Sequence, residues 1–140
     1  MNILAKVIII FSAFFICSCL NFYTGSININ DNGIYKKYYG TYEGSVTIKE
    51  NNNFTSQAIA NVVVSSGSVI TMRIWGGLIN LYIPIYRENI IKVSDNVYKA
   101  SVTSSGVRYD FTLSFNNNAM NLSFNSNNNT SGEGNLTKIR

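Results

Sequence analysis

The two cysteines of this chain, Cys17 and Cys19, are its most reactive side chains, and they lie at the end of an apolar run. A disulfide between them would close a very small and strained ring, and their spacing differs from the C-x-x-C motif of redox proteins. A zinc site would need further cysteines or histidines, and the chain contains two Cys and no His. Neither a disulfide nor a zinc site therefore accounts for this pair.

The absence of histidine also limits the catalysis that this chain can perform. Serine and cysteine nucleophiles are usually activated by a histidine base, and that arrangement cannot be built here. The seven acidic residues are scattered, and the side chains of Glu43 and Asp110 are predicted to face outward from their strands. We expect a protein that is not an enzyme and that uses no metal or other cofactor.

The chain opens with a short apolar leader. Lys6 and the amino terminus supply positive charge, and residues 7–16 are apolar except for Ser12. Even when extended to Leu20, this run would span roughly 21 Å as a helix, which is less than a hydrocarbon core of about 30 Å. The length fits the hydrophobic region of a secretory signal peptide better, and an uncleaved short anchor is the alternative.

The four residues Ile16, Cys17, Ser18 and Cys19 resemble the lipobox of bacterial lipoproteins, in which small and aliphatic residues precede a lipidated cysteine. This resemblance implies that residues 1–18 are a signal peptide and that Cys19 becomes the first mature residue, carrying a thioether-linked diacylglycerol. It also implies an exported protein of the bacterial cell envelope, attached to a membrane through its lipid anchor. Because no acidic residue directly follows Cys19, the sorting pattern of that family favours the outer membrane.

Residues 19–37 are predicted to be the lipidated cysteine and a flexible tether, since they are rich in Asn, Gly and Ser and show no sustained period. The stretch "YKKYY" at residues 35–39 mixes cations with aromatic rings. It either contacts anionic headgroups or simply joins the tether to the folded domain. The other basic residues are scattered, and with a formal net charge of +4 we expect no nucleic-acid partner.

From residue 38 the sequence changes to short runs rich in Val, Ile, Tyr, Phe and Thr, separated by turn clusters. Apolar and polar residues alternate in the segments 41–48, 107–115 and 120–125. This alternation predicts antiparallel strands with one buried and one exposed face. Nine candidate strands are separated by eight turns, at residues 51–53, 65–68, 76–77, 87–89, 94–96, 104–106, 116–118 and 126–132.

The stretch "LINLYIPIY" at residues 78–86 is apolar on both faces. Because Pro84 cannot donate a ladder hydrogen bond, we expect a strand end, edge or bulge there, and we place a break at this residue. The two-sided apolar character indicates either a strand covered by other parts of the chain or an exposed contact surface. Arg73 and Trp75 are expected to share one strand face, either as ordinary packing or as a rim contact for a ligand or partner.

The stretch "YYGTYEGSVTI" at residues 38–48 is similar to the first strand of lipocalin-like, or calycin-like, barrels in bacterial lipoproteins, which a Gly-x-aromatic pattern opens. Here the pattern ends at Tyr42, where lipocalins have Trp, and their last-strand Arg has only loose counterparts in Lys138 and Arg140. The resemblance covers residues 38–140 and implies an all-β fold. The expected architecture is an antiparallel meander that forms a small barrel of eight strands or so, with a β-sandwich as the alternative.

The inward residues of such a barrel decide whether it holds a ligand. Alternation predicts small inward residues on the first two strands and large ones on the later strands. The candidate barrel lining is Tyr42, Ala58, Ala60, Tyr109, Phe111, Phe115, Met120 and Phe124. A small hydrophobic ligand in the barrel is one function class, and a cavity of about 300 Å³ or more would favour it. The other class is a filled core whose outer surface acts on an envelope protein, as in inhibitor-type lipoproteins.

Replacing Cys19 with alanine is expected to abolish lipidation, because the thioether forms on the Cys19 sulfur. The native protein from its own cells should have an intact mass that starts at Cys19 and includes acyl chains, and Cys19→Ala should lose this mass. Cys17→Ala keeps the acceptor thiol and is the matched control, so it should retain the acylated mass. An unprocessed 140-residue mass for the native chain would contradict the prediction.

Overall fold

The computed structural model describes residues 33–51, 53–77 and 79–140, most of which lie in β-strands. The predicted signal peptide, Cys19 and the first part of the predicted tether lie outside the described residues. The strands are β1 (Gly40–Glu50), β2 (Phe54–Ser65), β3 (Val69–Gly76), β4 (Ile79–Ile85), β5 (Ile90–Lys92), β6 (Val97–Ser104), β7 (Val107–Asn116), β8 (Ala119–Ser126) and β9 (Thr130–Lys138). Short 3-10 turns lie at Lys36–Tyr38 and Arg87–Asn89.

All nine strands form one antiparallel sheet in the order β4-β3-β2-β1-β9-β8-β7-β6-β5. Consecutive strands pair with each other except β4 and β5, and β1 also pairs with β9. Because β1 pairs with the last strand, the meander curls into a nearly closed barrel whose seam lies between β4 and the strands β5 and β6. The all-β antiparallel meander predicted from the sequence is confirmed, with nine strands, and the chain forms a barrel instead of the alternative sandwich.

The turns lie where the sequence predicted them, since each of the eight predicted clusters separates two consecutive strands. Asn51, Asn117 and Asn129 occupy turns with φ angles of 49°, 51° and 62°. Asparagine tolerates this left-handed conformation better than most residues do. The asparagine-rich turns therefore supply the backbone geometry that the tight hairpins need.

Two strand boundaries differ from the prediction. The break placed at Pro84 is wrong, because β4 continues through Pro84, which pairs with Thr71 of β3. Its predicted position on an edge strand is confirmed, since β4 lies at one end of the sheet order. The turn predicted at residues 126–132 ends early, because β9 already begins at Thr130.

Glycines allow the closing strands β1 and β9 to approach each other closely. A Cβ atom on Gly134 would collide with the Ser45 carbonyl oxygen and lie 3.0 Å from Val46 Cα. A Cβ atom on Gly44 would collide with the Asn135 carbonyl oxygen in the same way. The lack of a side chain at both positions lets the sheet coil tightly enough for the first strand of the chain, β1, to pair with the last, β9.

Residues 33–39 pack against the barrel before β1 begins. Ile34 is 3% exposed, and its backbone N–H donates to Ser68 Oγ at 2.9 Å. Tyr38 is also buried, and its carbonyl oxygen accepts a hydrogen bond of 2.9 Å from the Tyr42 hydroxyl. The described part of the predicted tether, residues 33–37, is therefore attached to the domain through Ile34.

Replacing Gly132 with alanine is expected to destabilise the barrel by about 1–3 kcal/mol, as overpacked cores usually are. A Cβ atom there would lie 2.7 Å from Phe124 Cζ and 3.0 Å from Ile48 Cδ1, and both of these side chains are buried. Because the Phe124 ring is the main obstacle, the cost should shrink in a Phe124→Leu background, measured by urea unfolding in a double-mutant cycle. The neighbouring outward variant Ser131→Ala should change stability by less than about 0.5 kcal/mol. Equal costs of Gly132→Ala in both backgrounds would contradict this account.

Candidate functional site

Aromatic side chains fill the part of the barrel that lies next to residues 33–39. The Phe115 ring stacks on Tyr38 with a centroid separation of 4.5 Å. Tyr42 and Tyr98 contact Phe115 edge-on, at centroid separations of 5.6 and 5.8 Å. All four side chains are buried. Ring pairs in these geometries add stabilisation beyond the burial of their area, so this part of the interior is a tightly packed aromatic cluster.

A second aromatic cluster lies further along the barrel. The centroids of Phe111 and Phe124 are 5.8 Å apart, and Tyr109 lies 6.1 Å from Phe111 and 6.2 Å from Phe124. Phe111 and Phe124 are each 1% exposed, whereas Tyr109 is partly buried and packs against the core. The two clusters together place large rings along the inner face of β7 and its neighbours.

All eight predicted lining residues lie on the inner side of the barrel, so their predicted orientation agrees with the structure. Seven are buried, and Tyr109 is partly buried. They belong to one hydrophobic core, in which the inward side chains contact each other. Two cavities of about 430 and about 490 Å³ lie outside this core, on the outer face and at the seam. This packing supports the filled-core interpretation, and a ligand inside the barrel stays a prediction.

Three inward tyrosines are harder to ionise than tyrosine in water. Burial raises the pKa of Tyr42 above its usual value of 10.0, and the nearby Tyr38 adds to the shift. Burial also raises the pKa of Tyr98, against a hydrogen bond from the Tyr35 backbone N–H that lowers it, and burial raises the pKa of Tyr109. These groups are neutral at physiological pH and act as packing side chains.

The outer face of the barrel over β7, β8 and β9 is polar. Cross-strand pairing arranges its outward residues in three rows, Asp110–Asn125–Ser131, Thr112–Ser123–Glu133 and Ser114–Asn121–Asn135. They line most of a shallow groove of about 430 Å³. A surface with only hydroxyl, amide and carboxylate groups is well hydrated, and it offers little apolar area for a partner.

The outer face over β2, β3 and β4 mixes aromatic and aliphatic side chains with polar ones, in the rows Ile59–Trp75–Asn80, Asn61–Arg73–Tyr82 and Val63–Thr71–Pro84. We call the aromatic face the set Ile59, Val63, Arg73, Trp75, Tyr82, Pro84 and Tyr86 on this surface. Tyr82 is 63% exposed, Tyr86 51% and Ile59 44%. Pairing places Ile59 beside Trp75 and Arg73 beside Tyr82. The Arg73 guanidinium lies 5.1 Å from the Trp75 ring centroid, so cation and ring form one contact surface.

The aromatic face borders the seam of the barrel. A cavity of about 490 Å³ lies between β4 and β6, lined by Ile83, Pro84, Tyr86, Asn89, Ser101, Val102, Thr103 and Ser104. Tyr86 belongs to both the cavity and the aromatic face. Because β4 is the end strand of the sheet, its backbone donors and acceptors face the seam without a paired strand. Such an edge is a template on which a further strand can add.

The sequence anticipated only part of this surface. Arg73 and Trp75 share one strand face, as predicted, and Trp75 precedes the Gly76-Gly77 turn. One side of β4 is covered, because Leu81, Ile83 and Ile85 are buried in the core, and Tyr82 on the other side is exposed. The use of that exposed side as a contact surface stays a prediction. Ile59 was missed, although "AIANVVV" at residues 58–64 is also apolar on both faces. Two strands with this property, β2 and β4 on either side of β3, were the signal available in the sequence.

The carboxylates of Glu43 and Asp110 each accept hydrogen bonds from a nearby side chain. The Glu43 carboxylate accepts from Asn61 at 3.1 Å, and Asp110 accepts from Arg108 at 3.0 Å, so the two carboxylates lie in separate contacts. Within the described ranges, no group of three or more His, Cys, Asp or Glu side chains could hold a metal ion. In the same ranges, no helix has the length and apolar character that crossing a membrane requires.

Comparison with known proteins leaves function to be inferred from residues and geometry, since no family model, curated protein or solved structure matches the chain.

The free energy of unfolding is expected to fall as pH rises above about 10. The unfolded chain loses tyrosine protons near pH 10.0, while Tyr42, Tyr98 and Tyr109 still hold theirs in the folded barrel. Below that pH both states are protonated, so these groups contribute no pH dependence. Urea unfolding between about pH 8 and about pH 11 measures the slope, which should be shallower for Tyr42→Phe/Tyr109→Phe.

The exposed Tyr82 supplies the control for this titration. Tyr82→Phe removes a phenol that is 63% exposed, so the alkaline slope should match that of the native chain. An alkaline slope that the Tyr42→Phe/Tyr109→Phe pair leaves unchanged would contradict the account of buried, neutral tyrosines.

Proposed function

We propose that this protein is a non-enzymatic, membrane-anchored lipoprotein of the bacterial cell envelope, with a filled β-barrel that acts through its aromatic face on a protein partner. The observation that carries the proposal is the contrast between the two outer faces. One is polar throughout, while the other presents Trp75, Tyr82 and Tyr86 beside a free strand edge. The interior is occupied by aromatic rings, so the outer surface is the accessible part of the domain.

The anchoring part of the proposal is supported by the leader and by the lipobox-like residues that end at Cys19. Two or more acyl chains hold a protein on a membrane durably, whereas one chain binds only marginally. A lipobox lipoprotein retains Cys19 as its first residue. The remaining chain then contains no other thiol, so the barrel is stabilised by its core and ladders without disulfides.

A protein is the partner that fits the aromatic face. Trp, Tyr and Arg are the side chains that contribute most to protein interfaces, and they do so when neighbouring apolar groups exclude water around them. Here Trp75 and Arg73 are in contact, Ile59 lies opposite Trp75 on β2, and Tyr82 lies opposite Arg73 on β4. The edge of β4 adds backbone donors and acceptors that a partner strand could pair with.

A photoreactive amino acid at Tyr82 is expected to crosslink one discrete partner in the native membrane, because this side chain is the most exposed of the aromatic face. The same amino acid at Thr112, on the polar face, is the matched control and should give no adduct. Trp75→Ala should weaken the Tyr82 adduct at least tenfold, since truncating a central aromatic side chain typically costs about 2 kcal/mol of binding. Mass spectrometry of the adduct identifies the partner.

Two results would contradict the proposed function. Equal crosslinking from Tyr82 and Thr112 would show that the aromatic face has no special role. A small apolar molecule that remains with the folded protein in native mass spectrometry would favour the ligand-binding class over the filled core, because the ligand would have to displace packed rings.

A further inference from the structure

One end of the barrel is built from residues 33–39, the loop at 93–96 and the last residues of the chain, and we call it the chain-entry end. The Tyr35 hydroxyl donates to Asp95 Oδ1 at 3.1 Å, and the Tyr35 backbone N–H donates to the Tyr98 hydroxyl at 3.3 Å. Lys138 Nζ donates to the Lys37 carbonyl oxygen at 3.2 Å. These contacts hold the three segments together, and the chain continues from Gly33 toward Cys19 at this end.

The chain-entry end is rich in cations. Its basic residues are Lys36, Lys37, Lys92, Lys138 and Arg140. Among the described acidic residues, Asp95 is the one that pairs within this set, with Lys92 Nζ at 3.2 Å. The hydrogen bond from Lys92, followed by that from Tyr35, lowers the pKa of Asp95. The one negative charge of Asp95 is therefore already paired with Lys92. Lys36, Lys37 and Arg140 are exposed, which leaves an excess of positive charge facing outward.

Exposed apolar side chains lie among these cations. Val93 is 55% exposed, Ile139 54% and Tyr35 37%. The Lys92 ammonium lies 4.0 Å from the Tyr35 ring centroid, and Lys37 lies 5.6 Å from it. The turns at the opposite end, at residues 76–77, 105–106 and 127–129, contain only Gly, Ser and Asn. Phe54 at the opposite end is also 50% exposed, but it lies across from Glu50, and the nearby Lys49 and Arg108 form ion pairs with Glu133 and Asp110. An excess of positive charge beside exposed apolar groups therefore distinguishes the chain-entry end.

We infer that the chain-entry end docks on the anionic headgroups of the membrane that carries the anchor, with Val93, Ile139 and Tyr35 at headgroup level and the lysines beside the lipid charges. The inference rests on the proposed anchoring at Cys19. The extended length between Cys19 and Gly33 is at most roughly 50 Å, so an anchor at Cys19 leaves this end of the barrel within reach of the bilayer surface. Cations within a Debye length of about 10 Å are attracted to anionic lipids, and aromatic and aliphatic groups favour the interface.

Fluorescence quenching by lipids with brominated acyl chains tests this contact in the full-length, natively processed protein. The native chain has one tryptophan, Trp75, beside the turn at the opposite end. In the variant Trp75→Phe/Ile139→Trp the single indole lies at the chain-entry end. We expect quenching of the residue 139 indole at least threefold stronger than that of Trp75 on vesicles of phosphatidylglycerol and phosphatidylcholine. High salt should reduce it.

Charge variants separate docking from anchoring. Lys36→Gln/Lys37→Gln removes two exposed cations from the chain-entry end and should lower the quenching of the residue 139 indole by more than half. Lys49→Gln/Arg108→Gln removes the same charge near the opposite end of the barrel and should leave the quenching unchanged. Equal losses in the two double variants, or no loss in either, would overturn the inference.

Vesicle flotation distinguishes failure of docking from failure of the anchor. Flotation with phosphatidylcholine alone reports the anchor, because that lipid has no net charge. Flotation there, with a residue 139 indole that stays unquenched on anionic vesicles, would overturn docking and leave the anchor intact. Flotation with anionic vesicles alone, lost at high salt, would support docking while contradicting the anchor. Flotation with neither phosphatidylcholine nor anionic vesicles would overturn both.

Discussion

The pairing of β1 with β9 is the constraint on which the rest of this structure depends. A nine-stranded meander has two edges, and each edge strand carries unpaired backbone groups that invite aggregation. By pairing the first strand with the last, the chain moves both edges to one seam between β4 and β5. That pairing requires backbone contact that a side chain at Gly44 or Gly134 would prevent. Two residues without side chains therefore fix where the barrel closes and where it stays open.

Closure also determines what the inside can do. A small barrel of this kind has room for its own inward side chains or for one small ligand. In this chain the rings of Tyr38, Tyr42, Tyr98 and Phe115 contact each other at one end, and the cluster around Phe111 occupies the next part. Burial raises the pKa of Tyr42 and of Tyr98, so these two side chains contribute area and geometry but no charge at neutral pH. Recognition is thereby left to the outer surface and the seam.

The sequence predicted most of the fold because several of its strands have one buried and one solvent-exposed face, which appears as alternation of apolar and polar residues. Alternation in β1, β7 and β8 gave the inward residues correctly, and the turn clusters gave the connections. β9 was harder to recognise, since its inward positions include Gly132 and Gly134 and its outward ones are Ser, Glu and Asn. Its identity as a strand depends on contacts with Phe124 and Ser45, which no local pattern contains. Long-range packing of this type is invisible to periodicity.

The same limit applies to the candidate surfaces. Apolar runs on both faces of β2 and β4 indicated that something unusual covers or uses these strands, but neighbouring strands had to be paired before Ile59, Trp75 and Tyr82 became one face. The chain-entry end likewise unites Lys37 with Lys138, residues that are far apart in the sequence. Strands β2, β3 and β4 run between that end and the opposite turns, so a barrel docked by its chain-entry end presents the aromatic face sideways. Under the proposed docking, a partner that contacts this face would approach the barrel from the side, along the membrane surface.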